Sequence, residues 1–421
     1  MTAKESNSTK VHASDSNIYY PEGGLRAWSV VLGSWMACFG SMGLMNSLGI
    51  FQAYLEEHQL QSHSSGAVGW IFGLYSFFTF FCGIQVGPIF DARGPRALII
   101  CGGTGTVLFL VLLGFCTVYW HFMVVFGILG GISLSLIFSP SISIVAHYFH
   151  RWRGLATGVA SSGSSFGGVV FPLLFESLVS RVGFAWTTRA IALVDLVVFA
   201  LAWILIRPRF HPKKNIGAIL PDLSMFLKAD LMLASMGIFF MEWGLFAPVT
   251  YLTSYALSHG MSYQFAFMLL SLVNAGAILG RWIPGYCADR IGRFNTFIIT
   301  IFMCLLCNAC LWLLAGSSKA VLTLFALLFG FSSGSNVSLA PVCVGQLCKL
   351  ESYGRYYATA YVIVSLSTLT GIPIAGEILM RCNGEYWGLI VFTIASYAAS
   401  LICLAATKGF CCGWMQVTKV F

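Results

Sequence analysis

The chain has 421 residues, of which 58% are hydrophobic and only 9% charged, with a mean hydropathy of +0.83. Soluble domains carry roughly 25% charged residues, so this composition excludes a soluble globular protein and identifies an integral membrane protein. The net charge of +8 is no sign of a nucleic-acid partner, because the basic residues are confined to particular loops, and most of the 14 cysteines lie inside apolar runs, where free Cys behaves as a small apolar residue.

Residues 1–21 are polar and rich in Ser, Asn and Thr, and read as a disordered cytoplasmic tail with no signal peptide. Twelve apolar segments follow, each near the ~20 residues a bilayer requires. They fall near 27–51, 66–89, 97–118, 120–143, 155–179, 187–207, 230–255, 265–287, 294–315, 320–345, 356–380 and 387–408. The longest break, 208–229, holds Arg209, Lys213, Lys214 and Lys228 and lies at the middle of the chain. The expected class is an all-α membrane protein, with a six-helix bundle over 22–207, a central cytoplasmic loop over 208–229, a second bundle over 230–408 and a short tail over 409–421. Cys411 and Cys412 just beyond the last span are candidates for palmitoylation. With the N-terminus inside, 18 of the 23 Lys and Arg fall in the tails and even-numbered loops. By the positive-inside rule both termini are then cytoplasmic.

One stretch repeats. Gly87, Asp91 and Gly94 recur 198 residues later as Gly285, Asp289 and Gly292, accompanied by Arg93 and Arg96 in the first copy and by Arg290 and Arg293 in the second. A constant offset marks a duplicated unit. The stretch reads as a glycine-marked turn between spans, with an acid able to face the positive N-terminus of a neighbouring helix, or to pair with the flanking arginines, and so to latch two bundles together. The pattern Gly-x-x-x-Asp-x-x-Gly resembles that of the major facilitator superfamily. The resemblance implies two pseudo-symmetric six-helix bundles that work by alternating access.

A narrower resemblance rests on two further stretches. Glu22-Gly23-Gly24-Leu25-Arg26-Ala27-Trp28 precedes the first span, and Tyr148-Phe149-His150-Arg151-Trp152-Arg153-Gly154 leads into the fifth, followed by Gly158 and Gly163. Both are similar to motifs of the monocarboxylate-porter family in its fungal form. That likeness implies a proton-coupled or facilitative carrier for organic acids or related small molecules; symport and a place in the plasma membrane are expected. Animal members of the family carry a lysine where this chain has Asn46, and an aspartate where it has Ala277; the family's arginine is retained as Arg281.

Charges inside a bilayer cost about 2.5–3.5 kcal/mol each on insertion scales, which makes every one a functional candidate. Arg281 lies eight residues before Asp289, hence ~12 Å in from the turn, and suits a substrate carboxylate. Glu242, at similar depth in the seventh span, is a candidate for the coupling proton or for pairing with Arg281. Asp195 in the sixth span is a second proton candidate. Asn46, Asn274 and Asn336 are mid-span amides able to bind substrate or to bond between helices. No phosphate-binding Gly-Lys-Ser/Thr loop is present, and neither a metal set nor a cofactor is indicated. The expected function is transport of a small organic anion. The alternatives are export of a fungal secondary metabolite and, from another class, a nutrient sensor, against which the short final tail argues; an enzyme is not expected.

Overall fold

The computed structural model describes residues 20–209, 227–348 and 352–412, so the expectations for most of the two tails and of the central loop lie outside the described residues. The described residues are almost entirely helical. Eleven helices among them are long and apolar enough to cross a membrane. One of these, Arg153–Leu205, is 53 residues long. At ~1.5 Å per residue it would reach far beyond a bilayer as a straight rod. Gly183 breaks it, with φ of 77° and ψ of 168°. Contacts with the first span show that the chain reverses there. Gly33 and Gly40 of that span meet Ile206 and then Asp195, whereas Trp35 and Gly43 meet Gly163 and then Gly167. The two parts therefore run in opposite directions, as spans five and six, and the crossings among the described residues number twelve.

The first span is Gly24–Met45 continued by Leu48–Glu57, with a break at Asn46 and Ser47. The second is Ser65–Phe81 continued by Gly83–Arg93, and the third is Arg96–Leu113. The fourth, Tyr119–His147, contains a π-helical stretch over Met123–Gly130. Spans seven and eight are Ala229–Ser258 and Tyr263–Ile291. The ninth is Arg293–Trp312, the tenth Lys319–Val344, the eleventh Tyr353–Arg381 and the twelfth Trp387–Cys412. Trp28, Trp70, Trp120 and Trp186 are exposed among outward-facing apolar residues such as Leu108 and Ile204. This is the surface that lipid covers.

The repeated stretch is not the loop its polarity and glycines suggest. Gly87, Asp91 and Arg93 lie inside the second helix, and Gly285 and Asp289 inside the eighth. Only Gly94 (φ 79°) and Gly292 (φ 101°) make the turns. Gly87 and Gly285 serve a different purpose. A Cβ on Gly87 would overlap the carbonyl oxygen of Gly354, and one on Gly285 would come 2.7 Å from the carbonyl oxygen of Gly154. The missing side chains let span two approach span eleven, and span eight approach span five, backbone to backbone.

Candidate functional site

These close approaches bring two acids onto two helix ends. The carboxylate of Asp91 accepts the N–H groups of Gly354 and Arg355, both at 3.0 Å, at the start of span eleven. Asp289 accepts those of Gly154 and Leu155, both at 2.8 Å, at the start of span five. The first N–H groups of a helix have no partner within it and carry the positive end of its dipole, so each acid satisfies two donors and a charge at once. Each pair joins the N-terminal half to the C-terminal half, and the two are related by the internal duplication. Of the flanking arginines, Arg293 stands 4.0 Å from Asp289 and donates to the His150 carbonyl across the two halves, whereas Arg93 and Arg96 are exposed.

The leading motif has a role that its glycines alone did not reveal. Glu22 accepts the N–H groups of His150 (2.8 Å), Arg151 (2.6 Å) and Trp152 (3.2 Å), and its own N–H bonds to the Tyr148 carbonyl. Gly23 and Gly24, at φ of 156° and 82°, turn the chain from that clasp into the first helix. Trp28 packs edge-on against Phe149, and the Tyr148 hydroxyl donates to the Arg207 carbonyl. The two motif stretches, 120 residues apart, are thus one structural unit. The acid beside the paired glycines was the only signal for it in the sequence. Arg153 is buried with its guanidinium 4.4 Å from the centre of the Tyr353 ring, across the divide between the halves.

Deeper in the same seam lies Arg281. It is 4% exposed. Its Nη1 donates to the Ser161 carbonyl (2.9 Å) and to the hydroxyls of Ser164 (2.6 Å) and Ser165 (2.7 Å), while Nε donates to the Gly334 carbonyl at 3.3 Å. It therefore ties spans five, eight and ten together through neutral oxygens. No carboxylate among the described residues lies within ion-pair distance of it. Gly158 allows the approach, since a Cβ there would overlap the Arg281 carbonyl oxygen. Asn46, at the break in span one, donates to the Ser164 carbonyl at 3.1 Å. Asn46 and Asn274 both flank Gly168, where a Cβ would lie 2.8 Å from the Asn46 Cβ and 2.9 Å from the Asn274 Oδ1. Arg281, Asn46 and Asn274 thus converge on one face of span five, between Ser161 and Gly168.

The other candidates lie elsewhere. Asn336 is fully buried and turned toward span nine, with Thr300 donating to its Oδ1 at 3.4 Å and its Nδ2 beside the Cys304 sulfur. It joins two helices and is absent from the convergence around Arg281. Glu242 does not pair with Arg281. It is 5% exposed, accepts no hydrogen bond among the described residues, and lies within electrostatic reach of Tyr361 and Tyr397. No ion pair joins the two among the described residues. Asp195 is fully buried against Gly40, with neither carboxylate oxygen partnered. Between spans two, four and eleven, Phe80, Gly83, Phe138, Tyr357, Ala358 and Tyr361 enclose a space of ≈ 10 Å³. That is room for about one water. Among the described residues no group of His, Cys, Asp and Glu could hold a metal ion.

Twelve spans in two duplicated halves, latched at one end around a central buried cation, define a membrane carrier. The chain belongs to the Major Facilitator Superfamily, whose profile matches residues 30–372, and it is a transporter. Among its relatives is the riboflavin transporter MCH5 of Saccharomyces cerevisiae, 34% identical over 99% of this chain and 84% of that protein. The aspyridones efflux protein apdF of Emericella nidulans is 34% identical over 91% of this chain and 77% of its own. The fujikurins efflux protein of Gibberella fujikuroi is 34% identical over 92% and 82%. The crystal structure of the human organic anion transporter MFSD10 superposes with a TM-score of 0.73 over 91% of this chain and 100% of that one, at 17% identity, a likeness of fold.

Proposed function

We propose that this transporter moves a small organic molecule bearing an anionic group by alternating access, with Arg281 as the anion's binding partner. The observation that carries the reading is a buried guanidinium held only by hydroxyls and carbonyls. Those groups orient it but leave its charge unneutralised, at a cost that a bound carboxylate or phosphate would offset. Asn46 and Asn274 would bind the uncharged polar part of the same molecule. Closing and opening of the Asp91 and Asp289 clasps would expose the site to one side and then the other. The likeness of the Glu22 and Tyr148 stretches to its motifs supports the monocarboxylate-porter branch, the distribution of Lys and Arg supports both termini in the cytoplasm, and the plasma membrane is the proposed location. Glu242, a buried carboxylate without a cationic partner, is the proposed carrier of a coupling proton, with Asp195 as the second choice.

A second reading shares the fold and reverses the net flux. The relatives include proteins named for efflux of fungal metabolites, which supports export of such a compound.

The test is uptake of radiolabelled organic acids and vitamins into proteoliposomes, with and without an inward proton gradient. Saturable uptake of an anion is expected for the wild type, with loss of at least tenfold in Arg281→Ala and partial recovery in Arg281→Lys. In Glu242→Gln the gradient should cease to stimulate uptake while exchange between the two sides persists. Uptake that is indifferent to Arg281→Ala in a folded protein would refute the anion site.

A further inference from the structure

At the motif-bearing end Arg153 is buried against Tyr353 and Arg293 lies beside Asp289, but other arginines face outward. Arg93 and Arg96 are exposed single charges. Arg151 and Arg290 come from opposite halves and converge on one pair of rings. Trp152 stacks on Tyr286 with centroids 5.8 Å apart and planes at 18°. The Arg290 guanidinium lies 5.4 Å from the Trp152 ring centre and 5.3 Å from that of Tyr286, and Arg151 lies 5.5 Å from Trp152. Both arginines are exposed, and no carboxylate among the described residues lies within ion-pair distance of either. The nearby acids, Glu22 and Asp289, are turned inward onto backbone amides. Trp282, Tyr286 and Arg290 follow at four-residue intervals on span eight, and Trp282, Ile283 and Tyr286 are 37%, 50% and 43% exposed. The cluster therefore stands where a lipid-facing stripe meets the membrane surface.

We propose that Arg151, Trp152, Tyr286 and Arg290 bind the headgroup of an anionic phospholipid from the leaflet at this end of the protein. The rings hold each guanidinium within cation–π range, and its exposed N–H groups form a fork that matches two phosphate oxygens. Trp and Tyr at this level are at home in the headgroup region. A lipid is favoured over a soluble anion because the apolar stripe below the rings offers acyl chains a continuous surface. Since the arginines belong to different halves, one headgroup spans both only while the halves are together at this end. The bound lipid thus favours the latched arrangement, independently of what the carrier transports.

The test is native mass spectrometry of the full-length protein released from nanodiscs of equal phosphatidylcholine and phosphatidylserine. Each basic residue near a charged surface is worth on the order of fivefold, so retention of phosphatidylserine over phosphatidylcholine of about 30-fold is expected for the pair, falling to near parity in R151Q/R290Q. The wild-type preference should also shrink as salt rises from 50 to 500 mM, which tests the claim even if the double variant fails to fold. In R151K/R290K, which keeps the charge but loses the fork, an intermediate preference is expected. Equal retention of the two lipids by the wild type, or a preference that R151Q/R290Q leaves unchanged, would overturn the proposal. So would inorganic phosphate binding without any lipid selectivity, which would assign a site for soluble anions.

Discussion

Replacing Asp289 by Asn removes one charge and one acceptor from the clasp on span five. The carboxylate side chain is 1% exposed and takes two N–H groups at 2.8 Å. Hydrogen bonds to a charged group contribute about 1.5–3 kcal/mol each. Asn keeps one carbonyl oxygen for one of the amides but turns an NH₂ group toward the other, so about 2–3 kcal/mol is lost, and lost only where the clasp is formed. At tenfold per 1.4 kcal/mol this shifts the ratio of latched to unlatched protein by roughly 30- to 150-fold. Hydrogen–deuterium exchange in proteoliposomes reads this directly, because the amides of Gly154 and Leu155 exchange only when the clasp is broken. Exchange in a peptide covering 153–158 is expected to rise by that factor. If the halves move as rigid bodies, the Gly354 and Arg355 amides, clasped by Asp91, should speed up with it. Unchanged exchange at both places would refute the argument and show that backbone packing at the glycines alone keeps this end shut. A rise at 154 and 155 only would show that the two clasps open separately.

Gly158→Ala places a methyl group against the Arg281 carbonyl oxygen, so the latched arrangement should be depopulated and transport slowed at least tenfold, with thermal stability in detergent little changed; normal transport would refute the need for close approach at that seam. Asp195→Asn is expected to leave the melting temperature unchanged or to raise it, because a fully buried carboxylate without a donor contributes no stabilising bond to lose, and a drop of several degrees would reveal an interaction absent from this arrangement.

The class and order of the helices were legible from hydropathy because each span must bury or shed its own surface in lipid. Spans five and six were separable in the sequence by the polar stretch around Arg181, even though the helix runs on through Gly183 with a single kinked residue. The acid-to-helix-end clasp was also legible, since a short acidic side chain at that spacing has few other uses. What could not be read was azimuth. Depth along a helix follows from counting residues, but the side it faces depends on packing with partners more than a hundred residues away. Counting therefore put Glu242 at the depth of Arg281 and Asn336 among the mid-span amides without telling which neighbours each one meets. The use made of Gly87 and Gly285 was hidden for another reason. Glycine suggests a turn when only local propensity is considered, whereas here it answers a tertiary demand for a bare backbone.

The clasp of Glu22 bears on how quickly the carrier can cycle. The backbone amides of His150, Arg151 and Trp152 are held by an acid from the same half of the protein, just ahead of the two amides that Asp289 must release and recapture. When the halves part, Glu22 has no reason to let go, so the docking socket keeps its shape while empty. Re-engagement then requires only a rigid approach of one carboxylate to two donors already in place, with little chain entropy to lose on the way. The short segment ahead of the first span thus acts as a jig for a joint between elements of which it is no part.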